Sequence, residues 1–307
     1  IVSNVKVIPS GEAGTSTAMV DTVTFDVENI TPPIANTLRR VLMTEVPTMA
    51  IDRVLLIENE GVVLDEVLSH RLGLVPIFAP VDSFAYVTSD AGCDFNLPDA
   101  TKVLQFELKV AGSKDQPITP VYSSDLKFLP LPGQEELVGK VGVVHEDILL
   151  AKLGCGQRIE LRCFALKGLG QSHAKWAPSA ACFYDMKTQV GFNRPVTGDE
   201  AQQLKKACPM KVFDIEDTGA AFAKKPAKCT VCRECLRTDY SFSDAVKVEK
   251  LPTHFHFTVE STGQYHAVDI VRVGLKIFAE RCRALKDTVL MTNVQVSGQQ
   301  AVAASEN

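Results

Sequence analysis

The sequence predicts an α+β fold, and three observations carry that reading. Apolar and polar residues alternate over residues 4–8, 22–28 and 254–260, the period of half-buried strands. Two amphipathic runs with helical spacing follow, one after Thr31 and one from about residue 267. Between residues 51 and 185, short strand candidates are separated by Pro- and Gly-rich loops, which marks a mainly β region with few helices.

Along the chain, residues 4–8 and 22–28 read as a hairpin, with Gly11 to Ser16 supplying the turn. Thr31 can cap the next run, and Pro32 and Pro33 suit a first helical turn. Ile34, Leu38, Val41 and Leu42 then share one face, and the helix ends before Pro47. In the middle region, residues 103–110 and 157–166 are strand candidates, residues 65–72 a helix, and Leu129 to Gly133 a loop. From 194 to 245 basic, small and cysteine residues dominate, and a helical run over Gly198–Ala207 leads into Cys208-Pro209, so this is a separate small module. At 254–260, Phe255, Phe257 and Val259 face one way. After Gly263, Val268, Val271, Leu275, Phe278, Cys282 and Leu285 form one stripe of a helix of about five turns. A stripe so regular must pack on something, and periodicity alone favours an intrachain core over a subunit interface. The tail from Val294 is expected to fray.

The 307 residues suffice for two domains at ~150 residues each. Hydrophobic content of 46% and charged content of 22% are those of an ordinary globular protein. With 32 basic and 37 acidic residues the net charge is −5, which argues against a surface that grips nucleic-acid phosphates broadly. Nucleic acid is therefore expected to be met only indirectly. No apolar run approaches the ~18–20 residues of a membrane helix, and Ile1-Val2-Ser3-Asn4 has no secretory pattern, so an intracellular protein without a membrane partner is expected. The chain does not begin with Met, and its native N-terminus is undefined.

Of nine cysteines, Cys93, Cys155, Cys163 and Cys182 are scattered and read as small buried hydrophobes, while Cys208, Cys229, Cys232 and Cys235 crowd one region. In an intracellular protein such crowding points to a metal before disulfides. Bacterial-type ferredoxins use Cys-x-x-Cys-x-x-Cys-x-x-x-Cys-Pro, with the Cys-Pro of each repeat ligating the other repeat's cluster. Here Asp239 stands where the fourth cysteine after Cys235 would fall, and Leu204, Ala201 and Gly198 stand where companions of Cys208 would fall. The two surviving halves are complementary, and together they make one four-thiolate set. Thiolates suit zinc and iron–sulfur clusters alike, but this spacing is tight for tetrahedral zinc and ordinary for a cubane. The expected cofactor is one 4Fe-4S cluster in a structural role, with zinc or no metal as alternatives. His254 and His256 share a strand face without a third ligand nearby and are expected to face solvent or a partner. No metal is expected around Cys93.

Three strings remain: Asn36-Thr37-Leu38-Arg39-Arg40-Val41-Leu42, then residues 65–77 (DEVLSHRLGLVPI), then residues 168–178 (GLGQSHAKWAP). In that order and separation they closely resemble the α-like large assembly subunit of cellular RNA polymerases, over nearly the whole chain. Residues 144–153 and 257–263 look most like the subunit shared by the eukaryotic polymerases I and III, with the polymerase II and archaeal counterparts as close alternatives.

The resemblance implies a split α-like dimerisation domain built from residues 1–50 and 186–307. An inserted β-rich domain would occupy 51–185, and the small ferredoxin-like module 194–245 would lie within the dimerisation domain. It implies a non-catalytic scaffold in the nucleus, in both nucleolus and nucleoplasm, that pairs with a small α-like subunit and serves the second-largest and largest polymerase subunits. The interface it implies packs the first helix, with Ile34, and the last, with Val268, Val271, Leu275, Phe278 and Cys282, on the small partner. It turns the segment Asn36 to Leu42, including Leu38 and with Arg39 and Arg40 as contacts, and His173, Lys175 and Trp176, toward the second-largest subunit. For those last three the bland reading is a loop anchored by a buried Trp. A reading of another class, a ferredoxin-type electron carrier, is weakened because the chain has no Gly-rich dinucleotide loop and no second cluster.

Overall fold

The computed structural model describes residues 1–9, 20–87, 98–114, 116–134 and 140–305, with side chains described as far as residue 289. The turn expected at Gly11 to Ser16 and the site of Cys93 lie outside the described residues. The described elements are β1 (Val2–Pro9), β2 (Asp21–Glu28), α1 (Pro32–Thr44), β3 (Pro47–Asn59), α2 (Asp65–Gly73), β4 (Ile77–Phe78), β5 (Val103–Ala111), β6 (Ile118–Tyr122) and β7 (Lys127–Leu129). After them come β8 (Gly142–Val143), β9 (Leu149–Gly154), β10 (Arg158–Leu169), β11 (Ser179–Phe192), α3 (Gly198–Ala207), β12 (Phe213–Ile215), β13 (Ala221–Ala223), β14 (Val246–Ser261) and α4 (Ala267–Ser305). The main sheets run β1-β2-β14-β11 and β3-β10-β5-β7, and three two-stranded sheets pair β12 with β13, β4 with β8 and β6 with β9.

The helices and strands expected from periodicity are present, with two differences. The last helix continues through the tail expected to fray and ends at Ser305. Two long strands, β3 and β11, are present that periodicity does not mark. In β3, Thr48, Met49, Ala50 and Ile51 are all buried, so that stretch shows no alternation to betray a strand. Among the described residues no helix is long and apolar enough to cross a membrane.

Contacts divide the chain into two compact units. One comprises Ile1–Lys6, Thr24–Asn36 and Phe183–Thr258; the other comprises Val7–Val23, Thr37–Cys182 and Val259–Asn307. In the second unit β10 is central, antiparallel to β3 and β5, with Cys163 opposite Val54 on one side and Phe106 on the other. Leu68 and Leu72, one turn apart on α2, are fully buried in the same core as Met49, Ile51, Leu104 and Leu161.

In the first unit, alternation gives β2 and β14 two unlike faces. Phe255 and Phe257 are fully buried, Phe25 stacks on Phe257 at 5.3 Å, and Tyr184 meets both Phe255 and Phe257. Thr24, Asp26, His254 and His256 occupy the alternate positions. The cysteine module has its own core of Val196, Leu204, Phe213, Cys235 and Phe242. Arg194 clamps it by pairing with Glu200 at 2.9 Å and Asp244 at 3.2 Å, which holds both carboxyls below the usual range.

Candidate functional site

Helix α1 starts where its prolines cost nothing. Their missing N–H groups would be unpaired in a first turn, and the Ala35 N–H makes an early helical bond to the Thr31 carbonyl at 3.1 Å. Its buried face is Ala35, Leu38, Val41 and Leu42. Leu38 is thus a core residue of this chain, 5% exposed, which corrects its assignment to an interface. Ile34, assigned to the same face, is instead exposed at 43%, because small Ala35 takes the inward position. Asn36 and Arg40 are exposed, whereas Arg39 is half-buried and its Nη1 donates to the Met43 sulfur at 3.2 Å.

Helix α4 begins on an anchored turn. The Asp21 carboxylate accepts the Ala267 N–H at 2.7 Å, placing negative charge at the positive end of the helix. Ala267 and Ile270 are fully buried, and Gly274 lies so close to Leu42 that a Cβ there would stand 2.5 Å from its Cδ2. Arg281 pairs with Glu45 beyond the end of α1. The face that packs within the chain is therefore Ala267, Ile270 and Gly274. The stripe read from periodicity is turned away from it, which corrects the intrachain reading. Val268, Val271 and Phe278 are half-buried, while Leu275 (41%), Cys282, Leu285 (66%) and Val289 are exposed.

In the loop after β10, the Lys175 ammonium binds Asp52 at 2.6 Å and the Ile51 carbonyl at 3.1 Å, and lies 4.4 Å from the Trp176 ring centre. The Trp176 indole N–H donates to the Leu166 carbonyl at 3.0 Å, and the Trp176 carbonyl accepts from Thr48. Lys175 and Trp176, both half-buried, thus anchor the loop. His173 is exposed, its Nδ1 accepting the Lys175 N–H, and lies edge-on to Trp176. A cavity of about 320 Å³ beside them is lined by Asp52, Ser69, His70, His173 and Lys175.

In the cysteine module, Cys235 is buried, Cys208 and Cys229 are half-buried and Cys232 is exposed. Burial, with Cys229, Cys208 and Cys232 close by, pushes the Cys235 thiol up to about 11, so each of the other three cysteines lies within electrostatic reach of Cys235. The Val212 N–H points at the Cys208 sulfur at 3.4 Å. Val231 and Arg233, between the cysteines, and Lys211, after Cys208, all adopt left-handed backbone, an uncommon state for residues with side chains and most strained for β-branched Val231. Among the described residues, however, no three His, Cys, Asp or Glu side chains are arranged to hold a metal ion.

Cys163 and Cys182 are buried as expected, and burial raises their thiols to about 12 and about 11, but Cys155 is exposed. His256 is exposed as expected, with its ring nitrogen 2.6 Å from Asp26, whereas His254 is largely buried, 3.6 Å from Asp26 and 3.5 Å from Glu28. No sequence signal marks Asp26 beyond its polar place between Phe25 and Val27.

Residues 24–282 match the model of the RNA polymerase Rpb3/Rpb11 dimerisation domain. The chain is 37% identical over 278 residues to DNA-directed RNA polymerases I and III subunit rpac1 of Dictyostelium discoideum, covering 86% of this chain and 78% of that protein. It is 35% identical to subunit RPAC1 of Saccharomyces cerevisiae, covering 86% and 83%. It is 32% identical to DNA-directed RNA polymerase II subunit rpb3 of Dictyostelium discoideum, covering 85% and 89%. With its first helix, strands β3 to β14 and the first part of its long last helix inside the matched residues, the chain belongs to the RNA polymerase Rpb3/Rpb11 dimerisation-domain family, the α-like polymerase subunits.

Proposed function

We propose that this chain is the α-like assembly subunit shared by RNA polymerases I and III, a nuclear, non-catalytic scaffold at work in nucleolus and nucleoplasm. The observation that carries the reading is the stripe on α4, whose Leu275, Cys282 and Leu285 are exposed although their spacing is that of a packed seam. It meets the small α-like partner. Exposed Ile34 of α1 meets the same partner, while Asn36 and Arg40, with half-buried Arg39, and His173 meet the second-largest subunit, and the largest joins on that platform. The dimerisation domain draws on residues 1–50 and 186–307, with 51–185 inserted. The strand order β1-β2-β14-β11, which unites both chain ends in one sheet, supports that division.

The test is co-purification. Leu275→Asp should abolish capture of the small α-like subunit while the chain stays folded, and Arg40→Glu should weaken capture of the second-largest subunit. Unchanged yields would defeat the reading.

The proposal extends to the cysteine module: Cys208, Cys229, Cys232 and Cys235 hold one 4Fe-4S cluster that fixes the module's fold, zinc or a metal-free core being the alternatives. The three cysteines in electrostatic reach of Cys235, the N–H aimed at the Cys208 sulfur and the three left-handed residues support it; that no three ligating side chains among the described residues are arranged to hold a metal ion weighs against it. Anaerobic purification followed by iron, sulfide and zinc analysis decides. About four irons and four sulfides per chain, lost in Cys229→Ser, are expected of a cubane.

A further inference from the structure

The first unit contains a cavity of about 750 Å³ on the polar side of the sheet, between its strands and the segment 227–230 of the cysteine module. Lys6 of β1, Lys187 of β11, Lys250 of β14 and Lys228 of the module all line it. Four separate elements therefore bring a lysine to one concave place. Elsewhere in the same unit Lys205 and Lys224 share Asp214 at 2.8 and 2.6 Å and Lys247 meets Glu249 at 3.0 Å, whereas Lys206, Lys211 and Lys225 form no ion pair among the described residues. Among the described residues none of the four cavity lysines forms an ion pair.

Two carboxylates share the wall. Asp26 is already engaged, by the Asn4 amide at 2.7 Å and by His256 at 2.6 Å, which leaves Asp185 as the acid facing the lysines. Four ammonium groups against two carboxylates make the cavity positive on a chain whose net charge is −5. Like charges gathered in a concavity repel one another, so folding alone does not favour this arrangement, and an anion would relieve it. The hydroxyls of Thr24 and Thr230 add uncharged hydrogen-bonding groups. Thr188 is partly used, donating to the Cys229 carbonyl at 3.3 Å.

From this convergence we infer that the cavity is a binding site for a small polyanion carrying closely spaced phosphates. The size falls within the ~300–1,000 Å³ range of small-molecule sites. Among the described residues no Phe, Tyr or Trp lines the wall, so they offer no platform on which a nucleobase or a run of RNA bases would stack. Recognition runs through the phosphates, whether they stand on a polyphosphate chain or on a polyol.

The test uses the full chain and calorimetric titration at about 0.15 M salt. The probes are inorganic tripolyphosphate, inositol hexakisphosphate, ATP, a hexaglutamate peptide and a short single-stranded RNA. One-to-one binding of tripolyphosphate or the inositol phosphate that weakens as salt rises is expected, with ATP no tighter than tripolyphosphate. The two phosphate probes tell a linear from a polyol scaffold. Lys187→Gln with Lys250→Gln should weaken binding at least about tenfold, since each removes a charge-assisted contact, with an unchanged melting temperature. Lys228→Gln should act in the same direction, and Lys247→Gln, whose lysine lies outside the cavity, should leave binding intact. The proposal is overturned if neither phosphate probe saturates, if the double variant binds like the parent, or if only the peptide or the RNA binds.

Discussion

The indole of Trp176 fills the space that any side chain at position 168 would need: a Cβ on Gly168 would stand 2.3 Å from the ring. The close approach lets the ring reach the Leu166 carbonyl and support the Lys175 ammonium that holds Asp52. Gly168→Ala must push the ring out or bend β10, and overpacking of this kind costs about 1–3 kcal/mol. A melting temperature lowered by several degrees is expected, and an unchanged one would mean the ring moves freely.

The two faces of α4 make opposite predictions. Ile270 is fully buried, so Ile270→Ala should cost about 2–5 kcal/mol in urea denaturation of the isolated chain. Leu275 is 41% exposed, so Leu275→Ala should stay within about 0.5 kcal/mol. Equal costs would mean that the stripe packs within the chain after all.

That contrast shows what was legible in the sequence. Helix positions follow from hydropathy spacing, but hydropathy weights large side chains, and of the three residues on the inward face of α4 two, Ala267 and Gly274, have almost none. The pattern thus finds the outward stripe and misses the inward face, as it prefers Ile34 to Ala35 on α1. Strand β14 is readable because Phe255, Phe257 and Val259 alternate with polar residues, whereas β3 enters the core on both faces and loses its period. The motif around His173, Lys175 and Trp176 marks a real feature, yet spacing cannot say which side chains are consumed by their own loop. The lysine cavity has no local signal, since Lys6 and Lys250 come from opposite ends of the chain.

Asp26 predicts an acid-side dependence. Burial alone would raise its carboxyl, but the Asn4 amide and the two histidines outweigh burial and hold it below the ordinary value. A group whose folded pKa lies below its unfolded one, about 3.9, contributes stability above that value and loses it as pH falls through the folded pKa. Asp26→Asn should therefore be less stable than the parent at neutral pH, with the gap closing below about pH 4. Urea denaturation across that range checks it, and a gap constant with pH would assign the loss to packing.

The cysteines give a direct readout of which surfaces are covered. Cys155 and Cys282 are exposed, while Cys163 and Cys182 are buried with thiols raised to about 12 and about 11. Because the thiolate is the reacting form, an alkylating reagent at mildly alkaline pH should label Cys155 and Cys282 in the folded chain and reach Cys163 and Cys182 only on unfolding. Cys282 lies on the α4 stripe and Cys155 just after β9. Adding the small α-like subunit should then protect Cys282 and leave Cys155 labelled, as read by mass spectrometry of the peptides. Protection of neither would move the seam off this helix, and protection of both would place the partner over the β-rich region as well.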